Sequence, residues 1–295
     1  MAVRYDAGEV ITAMVTPFDA NLKVDYAALE KLINHLVENG TDAILVAGTT
    51  GESPTLTHEE EWDILKFVIE KNKGRAKIIA GAGSNCTETA VMMAEKFEKM
   101  GADAILSVVP YYNKPNQRGM EEHFSAIAEA VKIPVILYNI PGRTGVNMLP
   151  KTIANLAKKY KNIVAVKQSN GDLDLISEMK QECPDDFIIY SGDDSLTLPM
   201  MSIGAHGVIS VASHVVGNDI KKMISSFNNG KTEEAQNIHK KLFPLFKKLF
   251  MCPNPVPVKE VLSKIGIINN FVRKPLVTMN SQELEEFYKV AEKYI

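Results

Sequence analysis

Cysteine is scarce in this chain. Cys86, Cys183 and Cys252 make no close pair, no C-x-x-C and no ligand cluster. That excludes a disulfide-stapled scaffold and a thiolate metal site, and leaves free thiols in a reducing cytoplasm as the expectation. Long apolar runs are missing too. No stretch of 18 apolar residues occurs, so no membrane-spanning helix is predicted, and the polar start MAVRYDAGEV does not read as a secretory leader. Neither charge sign dominates. The net charge of -3 and a pI near 6.1 give no basic footprint for nucleic acid. His35, His58, His123, His206, His214 and His239 form no HExxH and no tight His/Asp cluster, so no metal is expected. Neither GxxxxGK[ST] nor GxGxxG is found, which removes the common phosphate-binding loops.

What the chain does have is rhythm. Its 295 residues allow one large domain, or one large and one small. Short apolar, β-rich runs occur at 10–16, 43–47, 77–80, 104–108, 135–138, 163–167, 187–191 and 207–210. They recur about every 25 to 35 residues, the length of a βα unit. Helical patterns fill the gaps. The stretch 25–38 sets Leu29, Leu32, Ile33 and Leu36 on one face, and 58–72 and 87–100 repeat the pattern. Thr57 followed by Glu60 reads as a capping box, while Asn39-Gly40 and Met100-Gly101 read as helix stops. NGTDAILV and MGADAILS echo each other, each a helix end feeding a strand. Near-continuous apolar strands are those of a parallel sheet covered on both faces. Eight such units predict an α/β fold, a closed (β/α)8 TIM barrel, over residues 1–225. From there the pattern becomes lysine-rich and amphipathic. Two or three extra helices are predicted in a C-terminal helical appendage over 226–295, linked by Asn228-Asn229-Gly230 and broken at Cys252-Pro253-Asn254-Pro255.

In such a barrel, function sits at the carboxyl ends of the strands. The second strand runs into Gly48-Thr49-Thr50-Gly51-Glu52, where glycines, backbone N–H groups and two hydroxyls suit a small carboxylate as well as they suit a plain turn. The fourth is followed by Pro110-Tyr111-Tyr112. The fifth ends at Tyr138, ahead of a loop carrying Arg143. The sixth ends at Lys167, the seventh near Gly192-Asp193 and the eighth near Ile209-Ser210. A lysine closing an apolar strand is either a snorkelling cation or an amine nucleophile. Burial would disfavour its ammonium form, and a neutral amine can attack a ketone to give a Schiff base, an electron sink for an adjacent methyl. Tyr138 is either a core aromatic or a proton donor to that centre, and a phenol in that role needs a further hydroxyl such as Thr50 or Tyr112. Arg143 is a surface or capping arginine, or a bidentate carboxylate clamp.

With those residues in place, the chain resembles the dihydrodipicolinate synthase / N-acetylneuraminate lyase family. The resemblance runs end to end, through GTTGESPTL at 48–56, PYYNKPNQRG at 110–119, YNIPGRTG at 138–145, VKQSNGD at 166–172, GDD at 192–194, GAHGVIS at 204–210 and NPVPVK at 254–259. It implies class I aldolase chemistry on pyruvate. Lys167 would form the imine, and Tyr138, Thr50 and Tyr112 would be the relay, with Tyr112 given across a tight dimer interface. Thr49 and Thr50 would hold the pyruvate carboxylate, Ile209 would flank the adduct, and Gly192 and Asp193 would line the mouth.

Two threonines at 49–50, the double tyrosine at 111–112 and Arg143 favour the synthase branch. Its implied reaction joins pyruvate to L-aspartate 4-semialdehyde, giving 4-hydroxy-tetrahydrodipicolinate on the route to diaminopimelate and lysine. The alternative is another pyruvate–lysine aldolase, a lyase of sialic acid or of a 2-keto-3-deoxy sugar acid. No cofactor is implied, and a homotetramer, a dimer of tight dimers, is. The chain departs from the family's usual residues at Gln168 and His214, each expected to act on hydrogen bonds around the site rather than on the relay. Ser53, His58, Asn85 and Tyr111 match the effector cleft of lysine-regulated members. Glu61 stands there in place of a histidine and Thr89 in place of a glutamate, so weak or absent inhibition by lysine is expected.

Overall fold

Eight strands close a barrel in chain order: β1 (Val10–Ala13), β2 (Ala43–Val46), β3 (Lys77–Gly81), β4 (Ala104–Val108), β5 (Val135–Asn139), β6 (Ile163–Gln168), β7 (Ile188–Ser191) and β8 (Gly207–Ser210). The structure, a computed structural model, describes residues 5–295; residues 1–4, the first part of the polar start noted above, lie outside the described residues. β1 pairs with β2, and β3 through β8 pair in succession, all in parallel. Every residue of β1, β2, β5, β6, β7 and β8 is buried, as parallel strands covered on both faces require. All eight predicted strands are present. β1 stops three residues short of its predicted end: the Met14 amide still donates to the Leu45 carbonyl, but the Val15 amide donates to His214 Nε2 instead of to a neighbouring strand.

The helices are α1 (Tyr26–Glu38), α2 (His58–Asn72), α3 (Thr87–Met100), α4 (Gln117–Ala130), α5 (Pro141–Thr144), α6 (Pro150–Lys159), α7 (Leu173–Glu182), α8 (Thr197–Met201), α9 (Ser213–Asn228), α10 (Thr232–Lys248), α11 (Val256–Lys264) and α12 (Ser281–Ala291). Their local logic is visible. Asp25 caps α1 by accepting from the Ala28 amide, and Leu29, Leu32, Ile33 and Leu36 form its buried stripe. Each such burial stabilises by about 1.5–3 kcal/mol. The capping box at Thr57 is formed with Glu60. Three helices, α10 to α12, follow the barrel as the sequence predicts. Among the described residues no helix is long and apolar enough to cross a membrane, and Cys86, Cys183 and Cys252 are all free thiols.

The chain forms two compact units. One holds Ile79–Ile209 with the N-terminal segment ending at Gly8. In it the β4–β7 ladder is flanked by α3, α4, α6 and α7, packed neighbour on neighbour. The other holds Glu9–Ile78 with Ser210–Ile295. There α9 packs on β1, α10 and α11 on α9, and α12 on α10.

His214, one of the two departures, is locked inside this second unit. It is fully buried. Its Nδ1 is 2.8 Å from the Val211 carbonyl, and its Nε2 accepts from the Val15 amide. Together these bonds require the neutral Nδ1–H tautomer. Burial pushes the imidazole down to about 4, with the nearby His35 adding to the effect. The unfolded chain therefore binds a proton that the folded chain refuses between roughly pH 6.5 and 4. The stabilising contribution is complete above that window and lost as pH falls through it. About 3 kcal/mol is at stake, of which about 2 kcal/mol is gone by pH 5. The melting temperature should fall from pH 7 to pH 5 by less in His214→Asn, which keeps a donor and an acceptor without a titration. Parallel curves for the two proteins would exclude His214 as the cause.

Candidate active site

In the unit built on Ile79–Ile209, β5 and β6 lie in register with Tyr138 opposite Lys167. Alternation along β6 sends Ala165 and Lys167 to one face and Val166 and Gln168 to the other. Lys167 is only 6% exposed, and its Nζ lies 4.5 Å from the centroid of the Tyr138 ring. Gln168, the other departure, points away from the amine and accepts from Asn139 Nδ2 at 3.1 Å. Asn139 in turn donates to Asn147 Oδ1 and to the Met148 carbonyl and accepts from the Met148 amide, so it fixes the return of the chain after α5. Gln168 thus acts on hydrogen bonds around the site, as expected, but the part of Asn139 was not legible in the sequence, where it reads as one more residue after Tyr138.

The close packing beside the amine depends on Gly192. A Cβ there would stand 1.8 Å from Ser169 Oγ and 3.1 Å from Lys167 Cε, so no larger residue fits without displacing the lysine's own surroundings. The Gly192 amide donates to the Gln168 carbonyl, which holds it against β6. Asp193 follows, half-buried, its amide donating to Ser191 Oγ. Ile209 is buried within β8, whose Val208 lies opposite Ser191 of β7.

Two expected residues are exposed in the single chain. Arg143 is exposed on the one-turn helix α5, closed by Thr144 Oγ1 on the Ile140 and Val146 carbonyls and by Gly145 at positive φ. Tyr112 is 89% exposed and sits at φ +71°. A bulky residue in that region costs about 1–3 kcal/mol. Asn113 holds the turn, its amide on the Tyr111 carbonyl and its side chain on the Asn85 carbonyl.

In the other unit, β2 leads into a 3-10 turn, Thr49–Gly51. Thr50 is buried, and its Oγ1 accepts from Asn254 Nδ2 at 2.9 Å; Thr49 is partly exposed. The turn is braced by Glu52, itself at φ +57°. One carboxylate oxygen of Glu52 lies 2.5 Å from Lys259 Nζ, and the other accepts from the Arg273 amide at 2.9 Å. Glu52 and Lys259 are 2% and 0% exposed. Lys259 also donates to the Phe271 carbonyl and sits 4.3 Å from the Phe18 ring centroid. Burial pushes its ammonium down to about 8, against the opposing pull of Glu52. Arg273 grips both oxygens of Glu60 and the carbonyls of Thr55 and Leu22. Asn254, Lys259 and Arg273 thus anchor the segment from Thr50 to Glu60. Asn254 and Lys259 belong to a stretch already noted in the sequence, but without a role. The available signal was slight, a lysine directly after the apolar run Val256-Pro257-Val258 in a helix that carries a second lysine at Lys264.

Chemically, the first unit offers a buried primary amine against a phenol. The second offers a rigidly held turn rich in hydroxyls and amides. A nucleophile facing a proton donor is the minimum for imine chemistry.

Comparison with known proteins agrees with that chemistry. The Dihydrodipicolinate synthetase family matches residues 6–294. A 4-hydroxy-tetrahydrodipicolinate synthase of Desulforamulus reducens is 51% identical over 280 residues, covering 95% of each chain. The enzyme of that name from Bacillus subtilis is 49% identical, covering 94% of this chain and 95% of its own. Among solved structures, a dihydrodipicolinate synthase of Bacillus anthracis superposes with a TM-score of 0.95 at 46% identity, covering 97% of this chain and 98% of its own. The chloride-inhibited enzyme of Acinetobacter baumannii, complexed with pyruvate, superposes with a TM-score of 0.95 at 37% identity, covering 98% and 100%.

Proposed function

This chain belongs to the dihydrodipicolinate synthetase family, and from that premise we propose how its residues divide the work. The enzyme condenses pyruvate with L-aspartate 4-semialdehyde to give 4-hydroxy-tetrahydrodipicolinate. The observation that carries the assignment is the buried Lys167 amine set over the face of Tyr138.

Lys167 attacks the pyruvate ketone, and loss of water gives the iminium. The iminium withdraws electrons and acidifies the pyruvate methyl, whose proton passes to the relay, leaving an enamine. The enamine carbon attacks the aldehyde, and the resulting alkoxide is protonated. The amine of the second substrate then adds to the iminium carbon, expels Lys167 and closes the ring. One water leaves in all, at imine formation. Tyr138 moves the protons, with Thr50 and Tyr112 completing the relay. Thr49 and Thr50 hold the pyruvate carboxylate through hydroxyls and amides. Arg143 clamps the carboxylate of the aldehyde substrate, a bidentate task that suits guanidinium. Gly192 and the Ile209 main chain flank the adduct, and Asp193 lines the approach of the second substrate.

Borohydride reduction in the presence of pyruvate, with peptide mass mapping, tests this. A reduced adduct on Lys167 is expected. An adduct elsewhere, or none, would overturn the assignment.

The assembly belongs to the same proposal. A working tight dimer, paired into a homotetramer in the cytoplasm, would bring Tyr112 of one copy to the site of another; the exposure of Tyr112 at a costly backbone angle supports that reading. Tyr112→Phe should keep the fold and lower kcat by about tenfold or more, and turnover within twofold of the parent would remove Tyr112 from the relay. The division into a barrel over 1–225 and an appendage over 226–295 is supported by the end of α9 at Asn228. For regulation, Glu61 is buried, 3.1 Å from His58 Nδ1, and burial raises its carboxyl to about 7. With Thr89 supplying no carboxylate for a ligand's amine, lysine up to tens of millimolar should inhibit weakly or not at all. Strong, saturable inhibition in that titration would reverse this expectation.

A further inference from the structure

We infer that Asn254 is a positioning residue of the proton relay, fixing the direction in which the Thr50 hydroxyl donates. The inference rests on the relay role given to Thr50 above. Asn254 lies between α10 and α11, 204 residues from Thr50 in sequence. The two side chains are 9% and 4% exposed, and Asn254 Nδ2 donates to Thr50 Oγ1 at 2.9 Å.

The consequence follows from counting donors and acceptors. An amide nitrogen only donates, and a hydroxyl has one hydrogen and two lone pairs. Asn254 occupies one lone pair. One lone pair and one hydrogen remain, so Thr50 can take a proton from one partner and give its own to another, and nothing else. That is the inventory a relay between two phenols requires. Accepting from the amide also polarises the Thr50 O–H and strengthens it as a donor. The reversed amide, with Oδ1 on Thr50, would capture the hydroxyl hydrogen and stop the relay. The structure has the first orientation, and Asn254 Oδ1 has no hydrogen-bond partner among the described residues. An under-satisfied carbonyl is more tolerable in the interior than an orphaned N–H, so this orientation is also the one burial favours.

The test compares Asn254→Asp and Asn254→Ala with the parent enzyme, reading kcat, KM for pyruvate, the pH profile, melting temperature and borohydride trapping. Asn254→Asp is isosteric, but its carboxylate only accepts and would draw the Thr50 hydrogen to itself. Its kcat should fall about 10- to 100-fold at neutral pH, with KM for pyruvate within about threefold and the Lys167 adduct still formed. Turnover should recover as pH falls and the new carboxyl gains a proton to donate. Asn254→Ala should show the same loss without the recovery. A residue that merely fills space would lower the melting temperature and leave the shape of the pH profile alone. If both variants keep kcat within twofold and the parent's pH profile, Asn254 does not position the relay. Failure of the parent enzyme itself to form the Lys167 adduct would instead overturn the underlying assignment, so the two failures are distinguishable.

Discussion

Lys167→Met should fold, form no borohydride-reducible adduct with pyruvate, and turn over about 10⁴-fold more slowly or worse. The size of the loss follows from what the amine supplies. Without the iminium there is no electron sink, and the pyruvate methyl keeps its proton. The rest of the site still binds, so residual rate comes from orientation alone. Methionine replaces the amine at similar length in a strand where every residue is buried. It removes a polar group that burial disfavours, so the melting temperature should hold or rise. That combination separates chemistry from structure. Lost activity with a lowered melting temperature would say only that the barrel was damaged. Activity within about 100-fold of the parent, with no adduct, would mean that catalysis does not pass through Lys167.

Lys167 was conspicuous in the sequence for a physical reason. A charged residue closing the run Ile163–Val166 interrupts a strand that burial would otherwise keep apolar. The strands were legible because two covered faces leave no polar positions, and the helices because Asp25, Thr57 and Gly101 mark their ends. Strand ends were less so. Val15 and Thr16 are as buried as β1 itself, yet the Val15 amide spends its hydrogen on His214 Nε2, a partner 199 residues away. The same limit hid the support of the Thr49–Thr50 turn. Glu52 reads as a loop carboxylate and Lys259 as one helix lysine among many. Their meeting spans 207 residues, and no periodicity within either segment announces it. Tyr112 was legible as a tyrosine with a role by resemblance. Its position at φ +71°, nine-tenths exposed, was not.

Breaking the Glu52–Lys259 pair should destabilise the protein strongly. Both groups are essentially without solvent, and the pair is closed by the Phe271 carbonyl on one side and the Arg273 amide on the other. Glu52→Gln keeps an acceptor for the Arg273 amide but leaves the Lys259 ammonium buried without its counter-charge. Lys259→Met leaves the carboxylate in the same position. Removing one partner of such a pair costs about 3–5 kcal/mol, chiefly as the penalty on the charge left behind. At about 2–4 °C per kcal/mol for large domains, each single substitution should lower the melting temperature by about 10 °C. The double substitution has no stranded charge. Its stability should return to within about 2 kcal/mol of the parent, far above the sum of the singles.

Kinetics should tell a different story from stability. Glu52 directly follows the turn that carries Thr49 and Thr50, and Lys259 holds it from α11. A neutral pair restores burial but not the charge-assisted grip, which is about twice as strong as a neutral hydrogen bond. The double variant should therefore melt near the parent yet show a raised KM for pyruvate, because the carboxylate-binding turn is looser. Single effects that simply add in the double would mean the two side chains are not coupled. A double variant with unchanged KM would mean that the pair stabilises the fold without positioning the turn.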